Sequence, residues 1–275
     1  MIKKANEILW KIFVFIFEMI LLPLPFFQKV WWKIWYNWLS KDKDREKDFL
    51  FMNYGHHEID AVEEKKREES YLKKKRSFFT TDNSAMARLY FYLSEEFTPS
   101  FEEKNIVEVG SGRGGGARFI SENYPVRSFI GLDLSSKNIE FCNDIHENAP
   151  HLSFKIGDAE NLPLPNASVD IVLNVESSHC YPHFEKFIEE VTRVLKKGGH
   201  FIFADFRQPE KMKELEEVFK HCGLKVLSKN NITENILKAL DYDSEKRVEF
   251  IRRFTPKFMF PIMKIFSGVK GTLIY

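Results

Sequence analysis

Ile106-Val107-Glu108-Val109-Gly110-Ser111-Gly112-Arg113-Gly114-Gly115-Gly116 is the stretch on which the fold turns. The run Ile106 to Val109 reads as a short buried strand, apolar and β-branched except at Glu108. The glycines let the backbone turn sharply and approach a ligand closely, and Ala117 to Asn123 then continues as a helix. A strand, a glycine turn and a helix start together form a cofactor-binding crevice. Gly110, Gly112 and Gly115 also satisfy G-x-G-x-x-G, so on this turn alone a nicotinamide-binding domain competes.

The acids that flank the turn separate the two readings. Glu108, two residues before the first glycine, is poorly placed beside a pyrophosphate and well placed to meet the cationic amino group of an amino-acid cofactor. A second strand, Ser128 to Leu132, ends in Asp133, at the distance expected of an acid that binds ribose hydroxyls. A third, Ser153 to Ile156, ends in Gly157-Asp158-Ala159, where a carboxylate accepts a hydrogen bond from an adenine amino group. A fourth, Val169 to Leu173, ends in Asn174-Val175-Glu176. Each acid alone is equally well a helix cap or a solvated loop residue. Four of them in order at strand ends are not explained that way.

This series resembles the class I S-adenosylmethionine-dependent methyltransferases. The resemblance rests on Glu108 to Gly114, Gly131-Leu-Asp-Leu, Gly157-Asp-Ala-Glu-Asn-Leu-Pro, and Val191 to Gly199 before a fifth strand. It implies a doubly wound α/β fold: a seven-stranded, mostly parallel, Rossmann-like sheet with its last strand antiparallel. It implies S-adenosyl-L-methionine as cofactor, held by Glu108, Gly110, Ser111, Gly112, Gly114, Asp133, Leu134, Asp158, Ala159 and Asn174. The stretch Asn174-Val-Glu-Ser-Ser-His-Cys-Tyr-Pro-His-Phe, with Phe51-Met-Asn-Tyr-Gly and the segment Asn231 to Phe258, is similar to the phthiotriolone and phenolphthiotriolone dimycocerosate methyltransferases and to bacterial fatty-acid O-methyltransferases. These matches cover about residues 49–275, and such relatives continue past a final strand, so Gly271 to Tyr275 reads as a shortened C-terminus. The closer resemblance implies methylation of a hydroxyl, enol or carboxyl oxygen on a lipid-like, hydrophobic small molecule. Carbon methylation of a quinone or sterol-like ring is the alternative chemistry, and a non-catalytic cofactor-binding membrane adaptor the alternative class.

Methyl transfer from a sulfonium needs orientation and exclusion of water more than covalent help. A hydroxyl acceptor also loses a proton, which calls for a base within reach. His179, just past the fourth strand, has the ordinary pKa for that work. Asp205, in Phe203-Ala-Asp-Phe after the fifth strand, is the candidate to orient it, as such a His and Asp do in related O-methyltransferases. Glu176 is a second candidate base or cofactor contact. Tyr54 and Tyr181 are candidate acceptor contacts, with aromatic packing the plain alternative for Tyr54. His179, Cys180 and His183 do not read as a metal set, because Pro182 interrupts the helical path that would bring them to one face. No metal is expected.

The 275 residues carry a net charge of only +1, which leaves no basic footprint for nucleic acid. Cys142, Cys180 and Cys222 are widely spaced and odd in number, as in reduced thiols of a reducing compartment. Composition divides the chain into an apolar aromatic segment (1–40), a charged connector and cap (41–100), and a methyltransferase domain (101–275) with an apolar lid at about 230–266 containing Phe254, Phe258, Phe260 and Phe266. All five tryptophans fall within residues 1–39. Ile8 to Leu22 is apolar apart from Lys11 and Glu18, and Phe27, Trp31, Trp35 and Trp38 recur at helical spacing with Lys29 and Lys33 among them. Tryptophan beside lysine suits a lipid headgroup region. The favoured reading is a helix or helical hairpin lying in one leaflet, with the catalytic domain facing the cytoplasm. A spanning anchor, a signal peptide, and packing of these helices on the catalytic domain or on a second subunit are the alternatives. The run Glu63 to Arg76 reads as a solvated helix or linker.

Overall fold

Residues 25–39, 50–74, 84–96, 100–149, 151–255, 257 and 260–272 are described by the structure, a computed structural model. The Ile8–Leu22 run and Phe258 lie outside the described residues, as do the side chains of Phe27, Trp35, Trp38, Phe254 and Phe266.

Strand β1 (Asn105–Val109) lies at the centre of a parallel sheet, between β2 (Ser128–Asp133) and β4 (Val169–Val175); β3 (Leu152–Ile156) and β5 (Leu195–Ala204) complete the order β3-β2-β1-β4-β5. Both faces are covered, so the central strands are continuous apolar runs rather than alternating ones. Successive residues of β1 point to opposite faces. Ile106 joins a cluster with Leu89, Phe119 and Phe129, while Val107 and Val109 join one with Phe187, Ile188 and Val191. Helices α4 (Gly115–Asn123) and α5 (Ser136–Ile145) cover the first face, and α6 (Phe184–Val194) and α7 (Pro209–His221) the second. Strand order reverses between β1 and β4, which opens a crevice at the carboxyl ends of the strands.

Seven strands are expected, and the described residues contain five. The reason lies after α7. Leu224 to Asn230 runs without a ladder partner, with Val226 and Leu227 at 56% and 70% exposure. The chain then enters three helices, α8 (Thr233–Tyr242), α9 (Ser244–Phe254) and α10 (Phe260–Phe266). The fifth strand also starts earlier than expected, because Lys196 to Gly199 is part of it; a register shift against β4 absorbs that stretch.

The segment before β1 is more than a connector. Helix α2 (Ala61–Lys74) is solvated and tied to the next helix by ion pairs, its Arg67 to Glu96 and its Glu64 and Glu68 to Arg88. Helix α3 (Ser84–Glu96) is core: Leu89, Tyr90 and Phe91 pack with Ile106 and Phe119, so the packing does not break at residue 101. Upstream, Pro25–Leu39 is helical as the tryptophan spacing predicts, and forms α1. It packs on the protein, with Trp31, Trp32 and Tyr36 against Ile251, Met263 and Val269. For residues 25–39 the packing alternative therefore holds. Among the described residues no helix is long and apolar enough to cross a membrane.

Gly116 shows how tightly the turn is held: a Cβ there would lie 2.0 Å from the Tyr90 ring. Gly116→Ala is expected to destabilise the protein by about 1–3 kcal/mol through overpacking. A thermal melt checks this, and an unchanged midpoint would contradict it.

Candidate active site

The crevice holds about 970 Å³ of open space, mouth included, within the ~300–1,000 Å³ range of small-molecule sites. Its floor is bare backbone. A Cβ on Gly110 would lie 2.3 Å from Ser177 Oγ and 2.7 Å from the Tyr181 hydroxyl, and one on Gly112 would lie 2.9 Å from Met52 Sδ. Val109, Gly110, Ser111 and Gly112 line it from the turn, Asp133 and Leu134 from the end of β2, and Asp158 and Ala159 from the end of β3. Glu176, Ser177, Cys180 and Tyr181 line it from the end of β4. Leu50 to Asn53 lies over the turn, and Gly115 N–H donates to the Leu50 carbonyl at 3.2 Å. A long crevice with a backbone floor and a carboxylate after each of two successive strands fits a nucleoside cofactor with an extended tail.

Asp133 is wired into the turn. Its Oδ2 accepts Gly112 N–H at 2.8 Å, and its Oδ1 accepts Ser135 N–H at 2.8 Å and the Asn138 amide at 3.2 Å. Burial pushes its pKa up to about 6 against these bonds. Asp158 Oδ1 accepts Glu160 N–H at 3.0 Å, and its Oδ2 is paired with Lys29 at 2.5 Å. Asn174 is wholly buried inside β4; its amide lies 2.9 Å from the Val109 carbonyl and 3.0 Å from the Tyr181 hydroxyl. Tyr181 is thereby fixed above Gly110.

Three expected contacts do not line the crevice, and Asn174, closed inside β4, is the first of them. Glu108 does not reach the crevice: it is fully buried behind Tyr90, whose hydroxyl donates to Glu108 Oε1 at 2.5 Å and whose ring is the wall. Burial pushes the Glu108 carboxyl up to about 8, so near neutrality it is largely uncharged. Gly114 is also off the wall, packed on His146 and Phe154 at the start of α4.

His179 and Asp205 meet as expected. His179 Nδ1 lies 2.8 Å from Asp205 Oδ1, and Asp205 Oδ2 accepts the His179 backbone N–H at 3.1 Å and the Ser178 hydroxyl at 2.7 Å. Arg207, at 3.2 Å, completes the cluster. Burial opposes the Asp205 charge, but His179 and Arg207 hold the carboxyl well below the usual carboxylate range. Burial likewise opposes the imidazolium, yet Cys180 and Asp205 raise the His179 pKa well above its ordinary value. His179 sits one step beyond the crevice wall, its ring tilted against Phe206 with centroids 4.5 Å apart. Tyr54 flanks the same ring at 5.4 Å from Phe206, and its backbone N–H donates to Glu176 at 2.8 Å. Glu176 itself has φ +47, a strained backbone for a residue with a side chain, and burial pushes its carboxyl up to about 8.

Sequence reading missed the fourth side of the crevice. Lys29, Trp32, Lys33 and Tyr36 of α1 line it. Their i, i+3, i+4, i+7 spacing was visible, but an apolar helix face looks the same whether lipid or protein covers it. Arg247, half-buried behind Tyr54 and donating to its carbonyl at 2.9 Å, was missed as well.

The sheet order, the bare turn and the acids after β2 and β3 define a class I methyltransferase. A methyltransferase-domain family model (Methyltransf_11) matches residues 107–203. The phthiotriol/phenolphthiotriol dimycocerosates methyltransferase of Mycobacterium leprae is 35% identical over 88% of this chain and 84% of its own length. The fatty-acid O-methyltransferase of Mycolicibacterium smegmatis is 32% identical over 77% of this chain and 73% of its own. Among solved structures, the cyclase SpnF superposes with a TM-score of 0.64 at 16% identity, over 86% of this chain and 87% of that one. Phosphoethanolamine N-methyltransferase 2 of Haemonchus contortus, in complex with S-adenosyl-L-methionine, gives 0.54 at 18% identity over 66% of this chain and 48% of that one. Those two likenesses concern the fold. The chain belongs to the S-adenosylmethionine-dependent methyltransferases, in the family of the phthiotriol/phenolphthiotriol dimycocerosates methyltransferases.

Asp205→Asn removes the anion that raises the His179 pKa. NMR titration of the imidazole is expected to place its midpoint above about 6.5 in the wild type and lower in the variant. Equal midpoints would contradict the pairing.

Proposed function

We propose that the enzyme methylates an oxygen on a lipid-like, hydrophobic acceptor. The observation that carries this is the His179–Asp205 pair, set just beyond the Cys180–Tyr181 wall and partly open to solvent. The names of the relatives, lipid and fatty-acid methyltransferases, support the acceptor class. In this reading the cofactor lies along the crevice with its adenine near Asp158 and Ala159, its ribose at Asp133 and Leu134, and its amino-acid tail over Gly110 to Gly112. Bound there, it supplies an already activated methyl group.

The residues do the rest. The aromatic walls from Phe51, Tyr90 and Tyr181 exclude water, and Asn174 and Ser177 hold Tyr181 in place. As the acceptor oxygen gains its bond to carbon, it gives up its proton to His179 Nε2, while Asp205 on Nδ1 orients the ring and stabilises the cation. The raised imidazole pKa makes it a strong acceptor once neutral, so transfer to a hydroxyl speeds up as pH rises through that pKa. Glu176 holds the Tyr54 segment against β4. We further propose that the apolar run Ile8–Leu22 brings the enzyme to a membrane surface that holds the acceptor, with the catalytic domain on the cytoplasmic side. Three widely spaced cysteines, an odd number, support that side.

Mass spectrometry of products from long-chain alcohols, enols and fatty acids tests the chemistry. A methyl ether or ester is the expected product; methyl on a ring carbon instead would overturn the reading. His179→Ala is expected to slow transfer to a hydroxyl about 10²–10⁴-fold. It should leave an already ionised carboxylate acceptor little affected. Asp133→Ala should weaken S-adenosylmethionine binding about 10- to 100-fold, as loss of a hydrogen bond to a charged group does. Unchanged affinity by calorimetry would refute the ribose placement.

A further inference from the structure

Helix α1 lies across the crevice and is held by loops from three different strand ends. After β3, Lys29 Nζ bonds Asp158 Oδ2 at 2.5 Å and Glu160 Oε2 at 3.2 Å. After β2, the Ser135 hydroxyl donates to Asn37 Oδ1 at 2.6 Å. After β4, the Tyr36 hydroxyl lies 3.7 Å from Cys180 Sγ. Between these ends Trp32 and Tyr36 face the crevice, their rings stacked at 5.8 Å. The carboxyl ends of β2, β3 and β4 thus lie under one helix.

The attachments differ in kind. Towards α9 and α10 the contact is apolar, through Trp31, Trp32 and Tyr36. Towards the crevice it is polar and partly solvated, with the Lys29 and Asp158 side chains 29% and 34% exposed. Ion pairs at that exposure are individually weak and give way easily. Apolar burial is kept only while the surfaces stay together. A helix attached this way opens at its polar edge first. Lys29 sits on Asp158 Oδ2 while Oδ1 accepts Glu160 N–H, so an adenine amino group at this carboxylate competes with Lys29 for it. Glu160 gives Lys29 a second carboxylate to keep when Asp158 turns to another donor.

We propose that α1 is a gate over the cofactor crevice and that Lys29, paired with Asp158 and Glu160, is its latch. The proposal rests on the placement of the cofactor along Gly110, Asp133 and Asp158 given above. Cofactor enters and leaves when the latch opens. With adenine at Asp158, Lys29 shifts to Glu160 and the helix closes again over the ligand.

The test is stopped-flow binding of S-adenosylhomocysteine to the full chain, followed by tryptophan fluorescence, which Trp32 reports from the crevice wall. Lys29→Glu, which sets three acids together, is expected to raise association and dissociation rates alike, each by about tenfold. Affinity should then change much less than either rate. Lys29→Arg keeps the charge and should restore the wild-type rates, and Glu160→Gln, which cuts the latch from the other side, should repeat the direction of Lys29→Glu. Hydrogen exchange of residues 25–39 without ligand should be faster in Lys29→Glu than in the wild type. If Lys29→Glu and Glu160→Gln leave both rates and the exchange unchanged while Asp133→Ala weakens binding, the gate is overturned and the cofactor placement stands. If none of the three substitutions has an effect, the placement falls and the gate with it.

Discussion

Tyr90 is the side chain against which the cofactor site is built. It enters the core from α3, fills the space that glycine leaves at 116, and donates its hydroxyl to Glu108 at the end of β1. Its ring packs 5.9 Å from Phe51 and faces the crevice. One residue thus joins the first strand, the start of the helix that follows the turn, and the segment that covers it. The buried carboxyl it meets is kept near neutral charge by burial, which spares the core an unpaired anion. The turn is rigid because its neighbours leave it no room, and a rigid turn is what a crevice with a backbone floor requires.

What was legible in the sequence was local. The turn from Gly110 to Gly116 and the acids Asp133 and Asp158 each depend on a strand and the few residues after it. So does His179, and Asp205 could be added because it directly follows the next strand. The strand count was not legible in the same way. Whether Leu224 to Asn230 joins the sheet depends on whether another segment lies beside it, which no local pattern records. Glu108 shows a subtler limit: its position at the strand end was right, but only the fold reveals that Tyr90 comes between it and the ligand space.

The packing of the N-terminal aromatic helix was not legible for a related reason. Trp31, Trp32 and Tyr36 form an apolar face, and lipid and protein surfaces reward such a face equally. Lys29 was the distinguishing residue. On a membrane helix its ammonium would reach headgroups; here it pairs with two carboxylates on the loop after β3. The motifs that carry the resemblance in the sequence begin at about residue 49, beyond this helix, so they drew no attention to it. An appendage judged by composition becomes part of the site once its charged residue is given a partner.

The fold by itself does not choose a reaction, since a cyclase shares it. The reading here depends instead on where a ligand lies relative to α1, Asp133 and Asp158. The most direct measurement is a crystal structure of the full chain with S-adenosylhomocysteine. The expected result has the ribose hydroxyls on Asp133, the adenine amino group on Asp158 and Lys29 on Glu160, with residues 25–39 closed over the ligand. A ligand bound away from Gly110 to Gly112, or adenine placed apart from Asp158 with Lys29 still on that carboxylate, would contradict it.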